Sequence, residues 1–572
     1  MPHVSRDGSA GPWEVREIGV VGPGIVGMPM AALLASAAEG PARTARVTVV
    51  QRPSATSGWK VGAINAGRSP IGGVEPALDR IVAGAVAAGR LRAVHDYGAL
   101  STAQAILICV QTDRAGDGPE YGPLFEAIDG IAGALRGRPA GTVPLVIFES
   151  TLAPSSMTTV VRERFARAGL VEGADVLLGN SPNRVMPGRL IERVASSDKL
   201  VAGLSPETPD RIAQLYRPIV HRGALHQTNS LAAEVVKTLE NAYRDVRIAY
   251  VSELARYCDA HDIDFFRLRD AVNARVAQAD AASADPGAVP TGALLVPTVG
   301  VGGHCLPKDG ILLWWRRLER GADRSRSLIL RARAINDASP AATIALAERA
   351  FGRLAGRRIA VLGAAYRADS EDTRNAPALV LARLLLGRGC RVTIHDPHVR
   401  PTDPNLLRLG LAERFRSEPP GRDERPETAF LCTGHAAFAA AAERLLAIPG
   451  LRGIVDGCNL LRRTTVESRG IGYAGIGRGC AEPSAELVEL AHGWFRALER
   501  GVANEVHDLV EFLDGEYGAG GDGGFGRLDF ATVRRLARTC GTGCQIGDAG
   551  NPLPAPPYRG WVPELAAAAG RA

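Results

Sequence analysis

Residues 18–35 read IGVVGPGIVGMPMAALLA. A short apolar strand, Ile18 to Val21, runs into Gly22-Pro23-Gly24-Ile25-Val26-Gly27 and then into an alanine-rich helix. In such a unit the first glycine permits a tight turn and the second lets a pyrophosphate approach the backbone. The third lets helix pack closely on strand, while the helix N-terminus offers amide donors and the positive end of its dipole. The glycine pattern alone is a weak signal, but a strand before it and a helix after it are the context a dinucleotide site requires. Gly22, Gly24, Ile25, Val26 and Gly27 are therefore the expected cofactor loop.

Working outward, the next strand, RVTVV (Arg46 to Val50), should end in an acid that holds the ribose hydroxyls of NAD, and it ends instead in Gln51-Arg52. Glutamine still bonds a hydroxyl, and arginine suits a 2′-phosphate, so both NAD and NADP stay open. AILICV (Ala105 to Val110) and LVIF (Leu145 to Phe148) read as further buried strands, leading into Gln111-Thr112 and Glu149-Ser150-Thr151. Such strand ends line the ligand crevice of a doubly wound sheet. Leu231 to His261 holds no Gly or Pro and carries Val235, Leu239, Ala242, Val246 and Ala249 at helical spacing, which predicts one long helix. From Arg357 the strand–helix alternation restarts with RRIAVLGAAY, RVTIHDP, Thr428 to Cys432 and Gly453 to Asp456.

The chain of 572 residues has room for three to four domains of roughly 150 residues. With 46% hydrophobic and 22% charged residues it reads as a folded α/β protein, not a disordered or fibrous one. No stretch approaches the roughly 18 to 20 apolar residues of a membrane helix, and MPHVSRDGSAGPWEVRE has no signal-peptide core. Nine scattered cysteines fit a reducing cytoplasm. A net charge of +6 is too diffuse to mark a nucleic-acid surface, though it suits an anionic substrate. The basic residues are almost all arginine. Only Lys60, Lys199, Lys237 and Lys308 are lysine, and a lysine surviving such a bias points to a need for a compact, titratable ammonium.

Taken together, IGVVGPGIVGMPMA, VGAINAGRSPI, ICVQT, ESTLAP, SPNRVMPGRLIE, AAEVVKTLENAYRDVRIAYVSELARYCD, GVGGHCLPKD, IAVLGAAYRADSEDTRNAPALVLARLLL and VTIHDPHV resemble, in order, the UDP-glucose/GDP-mannose dehydrogenase family over about residues 18–479. The GGHC and R-V-x-P-G forms are similar to the branch that oxidises UDP-N-acetylhexosamines. The resemblance implies two Rossmann-like doubly wound domains joined by a long central helix, with homodimerisation through that helix. It divides the chain into a tail (1–17), an NAD-binding domain (18–205), a central helical domain with a cysteine loop (206–330), a UDP-sugar-binding domain (331–479) and a mostly helical extension (480–572).

Oxidising a primary alcohol to a carboxylate takes two hydride transfers and a hydrolysis, and a cysteine can trap the intermediate aldehyde as a thiohemiacetal and then a thioester. Cys305, behind Gly302-Gly303-His304, is the expected nucleophile. The resemblance assigns Lys237 and Asn241, four apart on one helix face, to the reacting carbon. It assigns Asp309 to the water and Thr151 to its ordering. Thr112, Gln51 and Arg52 join the cofactor loop. Asn183, Arg184, Val185, Lys237, Asn241, Gly302, Gly303, His304, Arg367 and Arg374 are the expected sugar-nucleotide contacts, and Thr151 also faces the cofactor. One position departs: the family's glutamate in S-P-E is Asn183 here, and asparagine takes no proton at neutral pH. Full oxidation to the uronic acid, arrest at the 6-aldehyde, and a non-catalytic sugar-nucleotide-binding protein are the three readings. A β-hydroxyacid dehydrogenase would share the first domain but lack the second sheet and the cysteine loop.

Beyond 480, Pro483 to Glu499, Val502 to Leu513 and Asp529 to Arg538 read as helices, with a flexible connector GEYGAGGDGGFG and a tail PLPAPPY. Cys540-x-x-x-Cys544 lacks a second ligand pair, so no metal is expected. Residues 276–296 read as a lid over the substrate.

Overall fold

The computed structural model describes residues 13–71, 75–138, 143–185, 189–281, 292–518, 525–539, 544–550 and 564–565. Most of the expected tail, most of the Val185–Gly188 loop, the centre of the lid and of the glycine connector, Cys540 and PLPAPPY lie outside the described residues. The chain divides into two compact units, Met1–Glu240 with Leu312–Gly321 and Val506–Cys544, and Asn241–Ile311 with Ala322–Glu505 and Gln545–Ala572. The helices Ser230–Ala260, Leu306–Glu319 and Ala485–Tyr517 each contribute residues to both units.

The first unit is built on eight strands in the order Leu225–Asn229, Lys199–Gly203, Leu177–Asn180, Leu145–Phe148, Ala105–Ile108, Glu17–Val21, Arg46–Val50, Leu91–Val94. Every neighbouring pair is parallel except Leu177–Asn180 with Lys199–Gly203. Glu17–Val21 sits at the point where strand order reverses, which is where an open parallel sheet opens a crevice. Apolar clusters cover both faces, one around Met28, Leu34 and Ile212 and one around Ile128, Phe148 and Phe165. Burial on both faces explains why these strands are continuous Val/Ile/Leu runs.

The second unit carries six parallel strands in the order Phe415–Arg416, Arg391–His395, Arg358–Leu362, Thr428–Leu431, Gly453–Asp456, Gly472–Gly475. Its reversal falls between Arg358–Leu362 and Thr428–Leu431, just before the turn Gly363-Ala364-Ala365-Tyr366. The two doubly wound sheets and the long helix are as the sequence predicts. Among the described residues no helix is long and apolar enough to cross a membrane.

The extension differs from its expected form. The two helices predicted over 483–513 are one, Ala485–Tyr517, running through Gly501. A mid-helix glycine costs about 1 kcal/mol. Burial of Trp494, Phe495, Leu498, Val502, Val506 and Val510 on either side of it outweighs that cost. Within the second unit this helix lies along the central one. The Tyr250 hydroxyl donates to the Ala491 carbonyl at 2.7 Å, Tyr243 donates to Glu499 at 2.6 Å, and the Tyr250 and Phe495 rings stand 5.7 Å apart. Residues 249–255 are buried without exception. The resemblance implies dimerisation through this helix. Residues 485–505 of the same chain pack on it within the second unit. Phe495→Ala, deleting a ring buried in that seam, is expected to lower stability by about 3–5 kcal/mol, read by denaturant titration.

Candidate active site

In the first unit the cofactor loop is shaped by what surrounds each glycine. Gly22 has φ +91°, and a Cβ there would stand 2.9 Å from the Cys109 carbonyl. A Cβ on Gly27 would stand 2.2 Å from the Gly22 carbonyl, whereas one on Gly24 would meet nothing within 4 Å. Gly22 and Gly27 are thus demanded by the fold, and Gly24 leaves open space over the N-terminal end of the helix Gly27–Ala35. That division of roles suits a pyrophosphate, so the loop fits NAD. Ile25 is exposed and Val26 partly so. Gln51 donates to the Ser57 hydroxyl at 3.1 Å, and Arg52 pairs with Glu126 at 2.7 Å. At the neighbouring strand ends the Thr112 hydroxyl donates to the Thr151 carbonyl at 2.7 Å, which brings those two expected residues together.

Sequence reasoning missed what lies beneath. Glu149, whose side chain is wholly buried, accepts from Tyr216 at 2.5 Å, from Lys199 at 2.7 Å, and from Asn183. Burial lowers the Lys199 pKa against the pull of Glu149, and burial and Glu149 together raise that of Tyr216. Asn183 therefore has its side-chain amide turned to a carboxylate. The scarcity of lysine was the available signal, since Lys199, Lys237 and Lys308 are all buried.

Arg184 has partners other than those expected of a diphosphate contact. It pairs with Glu240 at 2.5 Å and donates to the Asp198 carbonyl at 3.0 Å and the Thr539 hydroxyl at 3.0 Å, with its side chain 7% exposed. It ties the Ser181–Val185 segment to the central helix and to the extension. Val185 is partly buried. Three residues before Lys237, Glu234 accepts the Ser155 and Met157 amides at 2.8 Å each, and so holds the turn after Thr151.

In the second unit Cys305 immediately precedes the helix Leu306–Glu319, and the Lys308 and Asp309 amides donate to its carbonyl at 3.1 and 3.0 Å. Of the described cysteines only Cys305 and Cys480 are exposed. A helix N-terminus favours negative charge on the sulfur. The glycines before Cys305 dock on the turn after the second sheet's first strand. The Gly303 amide donates to the Arg374 carbonyl at 2.8 Å, and Asn375 donates back to the Gly303 carbonyl at 3.0 Å. A Cβ on Gly302 would stand 2.4 Å from the Tyr366 Cβ, which is why glycine is needed there. Arg374 forks onto Asp372, and that bond, ahead of weaker contributions including Cys305, raises its pKa. Arg367 is exposed and His304 partly so. Asp309 is wholly buried, accepting from Lys308 at 2.7 Å and from Asn241 at 2.6 Å. Cys305, Asp309 and Asn241 thus belong to one cluster, while Lys237 sits one turn before Asn241 on the central helix.

The sequence matches three domains of one family in order: residues 16–220 the NAD binding domain, 231–338 the central domain and 360–463 the UDP binding domain of the UDP-glucose/GDP-mannose dehydrogenase family. The chain belongs to that family. This dehydrogenase is 30% identical over 469 residues to the UDP-N-acetyl-D-mannosamine dehydrogenase of Pyrococcus horikoshii, covering 81% of the chain and 99% of the relative. It is 32% identical to the enzyme of that name from Yersinia pestis, covering 68% of the chain and 88% of the relative. Among solved structures it is similar to the NDP-N-acetyl-D-galactosaminuronic acid dehydrogenase of Methanosarcina mazei, with TM-score 0.67, 30% identity, and 82% and 96% of the two chains covered. The dehydrogenase is an NAD-dependent oxidoreductase acting on nucleotide sugars.

Substitutions in the glycine turn should separate fold from cofactor binding. Gly27→Ala is expected to lower stability by about 1–3 kcal/mol through the overlap with Gly22. Gly24→Ala is expected to unfold like the parent yet bind NAD more weakly; calorimetric unfolding and titration distinguish the two. Burial pushes the Glu234 carboxyl from 4.5 up to about 8, against the pull of the Met157 and Ser155 amides. An acid raised in the folded state binds more protons there, so its stabilising contribution is full at low pH and lost as pH rises through about 8. Glu234→Gln is expected to flatten the fall in unfolding free energy between about pH 5 and 8.

Proposed function

We propose that the enzyme oxidises the C6 alcohol of a UDP-N-acetylhexosamine, UDP-N-acetylmannosamine or UDP-N-acetylglucosamine, to the uronic acid, with Cys305 carrying the intermediates. The relatives' names support the substrate class. The observation that carries the mechanism is the placement of Cys305: exposed, at a helix N-terminus, on a glycine loop whose helix also brings in Asp309 and, through it, Asn241. The first domain is taken to hold NAD and the 331–479 domain the UDP moiety, with Arg367 and Arg374 as its cationic contacts. Arg184 is reassigned as a strap.

NAD, when bound, accepts one hydride at each oxidation. The C6 hydroxyl gives its proton to water, and Lys237 and the Asn241 amide stabilise the alkoxide while the first hydride leaves C6. The Cys305 thiolate then adds to the aldehyde carbon, forming a C–S bond and a hemithioacetal oxyanion held by the same pair. Loss of the second hydride gives a thioester, and water, ordered by Thr151, cleaves it to the carboxylate and free thiol. Asp309, bonded to both Lys308 and Asn241, orients the asparagine and is the carboxylate nearest in sequence to the thioester for taking the water's proton.

Arrest at the aldehyde is a second reading, favoured by one observation: Asn183 supplies no base and its amide is tied to Glu149. A cytoplasmic homodimer or higher homo-oligomer is our reading of the assembly, with dimerisation through the central helix as the resemblance implies. Reduced cofactor formed per sugar tests the reaction. Two per sugar are expected, and one would establish the aldehyde product. Cys305→Ser is expected to lose acid formation by about a thousandfold or more while a first hydride transfer survives, and unchanged acid formation would overturn the thioester route.

A further inference from the structure

The segment 51–60, QRPSATSGWK, bounds the cofactor loop and has no part in the chemistry at Cys305, yet it concentrates unusual groups. It comes directly after the Arg46–Val50 strand, and the Gly22 amide donates to the Val50 carbonyl at 3.0 Å, so it begins beside the glycine turn. Where an acid would hold two ribose hydroxyls stands neutral Gln51, its side-chain amide donating to the Ser57 hydroxyl and the Arg52 carbonyl and its backbone carbonyl bonded to His95 at 2.7 Å. Arg52 projects with half its side chain exposed, paired with Glu126. Lys60 reaches back to the Pro23 carbonyl of the glycine turn at 3.4 Å. Ser54 and Thr56 join their hydroxyls at 3.1 Å. Trp59, 58% exposed, is pinned by its indole N–H to the Thr56 carbonyl at 3.2 Å.

We propose that this segment is a 2′-phosphate subsite, so that the enzyme takes NADP as well as NAD. An acid at the strand end selects against a 2′-phosphate by repulsion, and its replacement by glutamine removes that repulsion. Guanidinium presents paired N–H donors matched to two phosphate oxygens, and the Ser54, Thr56 and Ser57 hydroxyls add donors of the kind a phosphate accepts. Lys60 adds a second cation on the side of the pyrophosphate turn. The exposed indole offers a flat apolar face for the adenine that carries this phosphate. Two carboxylates stand nearby. Asp96 is bonded to the Gly98 amide at 2.9 Å. Glu126 belongs to an exposed ion pair with Arg52, and such a pair is weak enough for a phosphate dianion to displace it. This arrangement lies wholly within the first unit and involves none of the residues proposed to contact the sugar.

The test compares two probes that differ only in the group at issue, 5′-AMP and adenosine 2′,5′-bisphosphate, titrated calorimetrically into the full-length protein. The bisphosphate is expected to bind about tenfold or more tightly, the gain of a charge-assisted contact. Arg52→Gln is expected to bring the ratio of the two affinities close to one, and Gln51→Asp to reverse the preference. Circular dichroism spectra matching the parent establish that the exposed substitutions leave the fold intact. Equal or weaker binding of the bisphosphate by the parent, or an unchanged ratio in Arg52→Gln, would overturn the proposal. NADP is then expected to replace NAD in turnover of the parent, and failure of both cofactors would bear on the sugar substrate alone.

Discussion

A 31-residue helix, Ser230–Ala260, is buried along most of its length, and almost every polar group it carries inward must find a partner. A buried donor or acceptor left alone costs about 1–3 kcal/mol, so these partners are obligatory. Glu234 takes the amides of the turn after Thr151, Glu240 takes Arg184, Asn241 takes Asp309, and Asp245 takes Arg333 at 2.9 Å. Tyr243 and Tyr250 bond the extension. In the first unit these bonds hold the Ser181–Val185 segment to the helix, and in the second unit they hold the helix that follows Cys305. The helix supplies registration, and Lys237 and Asn241 inherit their positions from it.

The extension gains its meaning from that helix. The family match ends at residue 463, and residues 485–517 form a second long helix whose aromatic side chains fill the groove alongside the first. The extension also reaches the Ser181–Val185 segment, because Thr539 accepts from Arg184 and donates to the Leu536 carbonyl. Arg184, an arginine that the resemblance suggests for substrate, is held by the Glu240 carboxylate and the Asp198, Leu536 and Thr539 carbonyls. Arg367 is exposed and Arg374 partly so.

Two departures from the family pattern are local in sequence but different in consequence. Asn183 replaces a titratable carboxylate with an amide, and Glu149 behind it already serves Lys199 and Tyr216. Gln51 removes a charge at a strand end, so the neighbouring arginine decides the local potential.

Much of the architecture was legible because it rests on local rules. The strand–glycine–helix unit at 18–35, the uninterrupted apolar periodicity of 231–261 and the glycine-flanked Cys305 each need only near neighbours to declare themselves. The scarce lysines are a readable sign too, and Lys199 among them marks the buried Glu149 cluster. Other features were decided only by tertiary structure. Gly501 breaks a helix by propensity, yet burial of the flanking aromatics holds that helix together. Arg184 and Glu240 lie 56 residues apart, and Tyr250 and Ala491 lie 241 apart, so no spacing in the chain announces those pairs. Propensity and motif act over a few residues. The pairing of buried charges and the covering of an apolar helix are set by which distant segments the fold brings to the same place.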